Sequence, residues 1–93
     1  MEFEWDDDKA ERNEQKHGVL FTEAETVFGD ALALTGYDPH HSDEEDRYIT
    51  MGTSIEARLL VISHTDRDNR IRIISARVAS RKERRDYEDG SFP

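Results

Sequence analysis

The chain has 93 residues, of which 34% are hydrophobic and 38% charged, and its net charge is −9. That is enough for one domain with a thin core, in which one sheet carries a few polar helices. The lack of cysteine excludes a disulfide framework and a thiolate metal site, and no apolar run approaches the roughly 20 residues of a membrane span. Met1–Asp6 has no signal-peptide character, so a cytoplasmic location is the expectation.

Phe3 and Trp5 alternate with Glu2 and Glu4, which predicts a short strand over Glu2–Trp5. Asp6 is placed to cap a helix, with Asp7 and Asp8 where the helix dipole favours negative charge. The helix runs to about His17, and Gly18 supplies the left-handed residue that stops it. Ala10 is its only aliphatic residue and shares a face with Asn13 and His17. So little apolar surface implies polar work, and Asn13 is read as fixing this helix to the sheet.

Thr22-Glu23-Ala24-Glu25 has the form of a capping box opening a second, short helix. Ala24, Val27 and Phe28 would be its buried stripe and Gly29 its end. A strand is predicted over Ala31–Thr35, then a loop over residues 36–43 rich in turn formers. Three strands at hairpin spacing follow, Arg47–Ser54, Arg58–Thr65 and Arg70–Arg77. Alternation puts Arg58, Leu60, Ile62 and His64 on one face of the middle strand. On the last it puts Arg77 on the same face as Ile71 and Ile73. Ser80-Arg81-Lys82-Glu83 is a second capping box, opening a charged helix that ends near Gly90. The order predicts an α+β domain in which an antiparallel meander carries two N-terminal helices and one C-terminal helix.

Charge is distributed unevenly. Residues 1–46 hold 15 acidic groups against Lys9, Arg12 and Lys16, whereas residues 67–85 hold eight basic groups against Asp68 and Glu83. Such a chain can present a basic surface despite its low pI, or pair its own halves internally.

The phrase Trp5-Asp6, Lys9, Asn13, Lys16-His17-Gly18-Val19, Phe21, Ala24, Val27-Phe28, Asp30 resembles the N-terminal half of BrnT-type toxins. Glu45, Arg47 and Gly52, then Arg72-Ile73-Ile74-Ser75-Ala76-Arg77, then Glu83-Arg84 and Tyr87 resemble the second half. The resemblance covers nearly the whole chain, so residues 1–93 are read as a single toxin domain. It implies a RelE-like fold and a metal-independent endoribonuclease of a type II toxin–antitoxin module, without a cofactor. It also implies a BrnA-like antitoxin whose dimer joins two toxin chains and makes the DNA contact.

Cleaving RNA without a metal requires activating a 2′-hydroxyl, protonating the leaving 5′-oxygen and stabilising charge on the phosphorus. Histidine suits the proton transfers, and arginine suits the third task through forked contacts to phosphate oxygens. The resemblance therefore assigns His17 or His64 to proton transfer and Arg58 and Arg77 to the phosphate, with Lys16 adding positive field. Arg47, Arg72, Arg84 and Tyr87 are expected to bind RNA, Tyr87 by stacking a base or orienting an arginine. Each assignment has a plainer counterpart. His17 would serve a helix dipole, His64 would be an exposed strand end, Arg77 would pair with the acidic first helix, and Arg81, Lys82, Arg84 and Arg85 would be a solvated face.

Two other readings remain. His40-His41 with Asp38, Asp43, Glu44 and Glu45 could hold a metal ion, although the spacing matches no established site. The acidic first half favours a second possibility, a catalytically inactive binding or regulatory subunit that keeps the toxin fold.

Overall fold

A computed structural model describes residues 1–41 and 45–92. One mixed five-stranded sheet is built from β1 (Glu2–Glu4), β2 (Leu34–Tyr37), β3 (Tyr48–Thr53), β4 (Leu59–Arg67) and β5 (Arg70–Val78), in the spatial order β1-β5-β4-β3-β2. Three helices accompany it, α1 (Asp7–His17), α2 (Phe21–Ala24) and α3 (Arg81–Glu88), and α2 continues as a 3-10 turn over Glu25–Gly29. The α+β class is as expected. The sheet is not wholly antiparallel, because β1 runs parallel to β5 with Phe3 opposite Ile71. The alternation that marks this short edge strand carries no information about its partner or direction.

The end signals of α1 act as expected. Asp6 Oδ1 accepts from Lys9 N at 3.0 Å, and Gly18 adopts φ 68° while its N–H donates to Glu14 O at 2.8 Å. Ser80 and Glu83 form the full reciprocal capping box of α3. The box expected at Thr22 does not form. The helix is entered at Leu20 with no side-chain cap, so Thr22 lies inside it, and the Thr26 hydroxyl donates to Glu23 O instead.

The strand expected at Ala31–Thr35 is shifted to Leu34–Tyr37. Asp30 holds the preceding residues in a turn: its Oδ1 accepts from Leu32 N at 3.0 Å and its Oδ2 from Thr53 N at 2.8 Å. Gly52 lies under this turn, where an added Cβ would come within 2.8 Å of Ala33 Cβ and 2.9 Å of Val27 Cγ1. The close approach explains the glycine. β4 and β5 meet in a two-residue turn in which Asp68 and Asn69 both take positive φ, 46° and 68°. This is the hairpin geometry that matches strand twist, and Asp and Asn tolerate it best among non-glycine residues. β4 consequently reaches further, to Arg67, than the turn residues suggest, and β5 starts at Arg70 as expected.

Each sheet face has its own cluster. Leu60, Ile62, Ile71, Ile73 and Ala76 pack against Val19, Phe21, Ala24 and Val27 of the α1–α2 layer. Met51, Leu59 and Val61 pack with Ala79, Tyr87 and Phe92 on the α3 side. A bulge decides which face Arg77 takes. Ser63 pairs with Ser75 and His64 with Ile73, so Ile74 has no partner across the ladder. One extra residue reverses the alternation beyond it. Ala76 therefore joins Ile71 and Ile73, and Arg77, opposite Val61, faces α3 rather than the α1–α2 layer.

Candidate active site

Asn13 holds the polar helix in place, as its face implies. It is 7% exposed, its Nδ2 donates to Val19 O at 3.0 Å and to Ala76 O at 2.9 Å, and Ala76 N donates to its Oδ1 at 3.1 Å. One amide thus completes the backbone of β5 and closes the link that follows α1. This lock sets the position of the last turn of α1, which carries exposed Lys16 and half-buried His17.

Arg58 reaches the same place from the β3–β4 turn. Its Nη2 donates to Gly18 O at 3.2 Å, immediately after His17. The guanidinium also grips Glu23 of α2 with both arms, through Nε to Oε2 at 3.0 Å and through Nη2 to Oε1. Ser54 Oγ donates to Glu23 Oε2 at 2.7 Å. These donors, Arg58 first, hold the Glu23 carboxyl below its usual range. Arg58 therefore meets the residue that follows Lys16 and His17, where β4 begins, on the α1–α2 side.

The other predicted residues lie elsewhere. Arg77 is at the same end of the sheet but on the opposite face, so it does not share a phosphate-sized gap with Arg58. It pairs with Glu83 of α3, not with the acidic first helix, through Nη1 to Oε1 at 2.6 Å and Nη2 to Oε2 at 2.8 Å. This fork, with the Ser80 backbone, brings the Glu83 carboxyl down to about 2. Tyr87 donates its hydroxyl to Leu32 O at 2.9 Å and lays its ring on the α3-side cluster, so it joins α3 to the turn before β2. Arg72 Nη1 donates to Glu4 Oε2 at 3.0 Å. Arg47 is half-buried just before β3, where its carbonyl accepts from Asp38 N at 2.9 Å. Arg84 is exposed on α3.

His64 is not an exposed strand end. It is 3% exposed, with Phe28 edge-on at 5.1 Å and Tyr48 stacked at 6.0 Å between ring centroids. Both ring nitrogens are engaged, Nδ1 with Asp66 Oδ1 at 3.2 Å and Nε2 with Thr50 Oγ1 at 2.8 Å. Against an ionised Asp66 the neutral ring carries its proton on Nδ1, so Thr50 donates to Nε2 and Thr35 donates in turn to Thr50 Oγ1 at 2.7 Å. The alternation that put Arg58 and His64 on one face holds, but six residues of extended chain separate them by about 20 Å. Burial lowers the His64 pKa, offset in part by Asp66. A base with a depressed folded pKa contributes stability above its unfolded pKa, and this is lost as protons bind the unfolded chain more readily. The unfolding midpoint is therefore expected to fall as pH drops below about 6.5, and that limb should flatten in His64→Gln.

Of the suggested metal ligands, Asp43 and Glu44 lie outside the described residues. His41 Nδ1 meets Asp38 Oδ2 at 2.9 Å, whereas Glu45 is taken by Arg67, so the cluster is divided. Among the described residues no three His, Asp or Glu side chains are placed to hold an ion. An open hollow of about 730 Å3 lies by β1, lined by Met1, Glu2, Phe3, Glu25, Thr26 and Arg70, and contains none of the proposed catalytic groups.

Sequence reasoning missed Glu23 and Glu83 as partners of the two arginines. Glu83 was visible only as a capping residue, and nothing local in the sequence ties Glu23 to a residue 35 positions later.

A sequence model of the family described as "Ribonuclease toxin, BrnT, of type II toxin-antitoxin system" matches residues 5–83. The chain belongs to the BrnT toxin family. Among solved structures it is similar to the crystal structure of the Brucella abortus ribonuclease toxin BrnT, with a TM-score of 0.64 and 23% identity. That match covers 87% of this chain and 99% of the other, and it supports the fold. No curated protein matches the chain. No helix among the described residues is long and apolar enough to cross a membrane.

Proposed function

We propose that this BrnT-family chain is a metal-independent endoribonuclease whose site is the end of α1, with His17 as the proton-transfer group and Lys16 and Arg58 at the phosphate. The supporting observation is the Arg58 contact with the Gly18 carbonyl, which ties a guanidinium to the residue directly after exposed Lys16 and half-buried His17. In the reaction the 2′-oxygen bonds to the adjacent phosphorus and the bond to the 5′-oxygen breaks. His17 exchanges protons with these two oxygens, and the cations offset charge on the phosphoryl oxygens. His64 is less suited, because its nitrogens are already committed inside the sheet layer. Arg77 reaches phosphate only by exchanging Glu83 for it.

The antitoxin implied by the family would neutralise the chain by covering this end of the sheet, a BrnA-like dimer joining two toxins and supplying the DNA contact. A second reading, an inactive subunit, is favoured by one observation. Arg58, Arg72 and Arg77 each already hold a glutamate of the same chain.

The test is cleavage of a defined single-stranded RNA in excess EDTA by purified protein. Cutting that leaves 2′,3′-cyclic phosphate ends is expected. Cutting that stops in EDTA and returns with magnesium would overturn the metal-free mechanism, and none from folded protein under either condition would leave the inactive reading.

A further inference from the structure

In this acidic chain the sheet arginines find carboxylates. Arg58, Arg67, Arg70, Arg72 and Arg77 hold Glu23, Glu45, Glu2, Glu4 and Glu83. The outer side of α3 is different. Arg81, Arg84 and Arg85 stand at i, i+3 and i+4, so they share one face. All three are exposed and none makes an ion pair among the described residues. The opposite face is the one that docks, through Glu83 on Arg77 and Tyr87 on Leu32.

This arrangement works against the helix. Arg81 occupies the first helical position, where the dipole favours negative charge. Its neighbours one turn on have like charge, which costs an isolated helix a few tenths of a kcal/mol per pair. Glu88 and Asp89 stand one turn after Arg84 and Arg85, yet neither forms an ion pair with them among the described residues. The face also begins at the same end of the sheet as the candidate site, on the other side of it. Ala79 N donates to Leu59 O at 2.9 Å, which puts the start of α3 next to the residue that follows Arg58.

We infer that the Arg81–Arg84–Arg85 face of α3 carries the phosphates of single-stranded RNA flanking the bond cut at the end of α1. This rests on the ribonuclease reading, but its test does not require cleavage. Arg81 and Arg85 are about 6 Å apart along the helix axis. The face gives a strand successive cations to follow over the end of the sheet without any base-specific contact.

The experiment uses the full chain, wild type and the triple variant Arg81→Gln, Arg84→Gln, Arg85→Gln, with a fluorescent 2′-O-methyl RNA that cannot undergo 2′-hydroxyl attack. Affinity is measured by anisotropy over a range of salt. The variant is expected to bind roughly ten- to a hundredfold more weakly. Its plot of log affinity against log salt should be shallower by about 2, since each phosphate neutralised on a single strand contributes about 0.7. Its unfolding midpoint should be unchanged or higher, because glutamine keeps helix propensity and the repulsion is gone. A lower midpoint would mean that the arginines serve the helix, and would overturn the inference. Wild-type affinity and slope in the variant, or no binding by the wild type, would overturn it too. If the variant binds RNA normally but loses its antitoxin, the face belongs to the protein partner instead. Loss of the ribonuclease reading shows up separately, as absence of cutting in unmodified RNA that is still bound.

Discussion

Replacing His17 by alanine is expected to lower the rate of RNA cleavage about a hundred- to ten-thousandfold, the range a positioned general acid–base supplies. The unfolding midpoint should fall by only a few degrees. His17 is half-buried in the last turn of α1, makes no hydrogen bond among the described residues, and stands to lose at most its interaction with the helix end, about 1 kcal/mol. His64→Ala should do the reverse, removing a buried ring packed between Phe28 and Tyr48 along with the hydrogen bonds of Thr50 and Asp66. Its cost is in stability, measurable by urea unfolding, with cutting retained by whatever fraction is folded. The two assignments exchange places if folded His64→Ala is inert while His17→Ala cuts at the wild-type rate.

Asn13→Ala is expected to be the most damaging single change to stability, by about 3–4 kcal/mol. The amide satisfies two carbonyls and one N–H in a site where it is itself 7% exposed. Each buried group left without a partner costs about 1–3 kcal/mol. Against the 5–15 kcal/mol that holds a small domain together, this should lower the thermal midpoint by on the order of 15 °C. Denaturant and thermal unfolding both measure it. A loss below about 1 kcal/mol would mean that water takes over the three contacts and that α1 is held by its apolar neighbours alone.

What could be read from the residues was local. Asp6, Gly18 and the Ser80–Glu83 box are capping signals confined to one turn, and all three act in the fold. The role of Asn13 followed from a helix face with almost nothing apolar on it. Signals of the same kind misled where a competing contact was stronger. Thr22 had the right spacing for a cap, but burial of Phe21 and Ala24 started the helix one residue before it. Asp30 delayed β2 by capturing two backbone N–H groups, one from a strand 23 residues away. The candidate site was less legible than the fold. The bulge at Ile74 moved Arg77 to the other face, and the burial of His64 depends on Phe28 and Tyr48 arriving from separate elements. Alternation within one strand contains neither fact.

The pairing of β1 with β5 also bears on how the molecule comes into being. The meander from β2 to β5 is joined by chain neighbours, but Glu2–Glu4 has no place until residues 70–72 exist, and Asn13 has no lock until Ala76 does. Contacts across more than 60 residues are late and entropically costly. During synthesis the segment that bears Lys16 and His17 leaves the ribosome before the strand on which it docks. The groups proposed to cut RNA are therefore assembled only once β5 has been made.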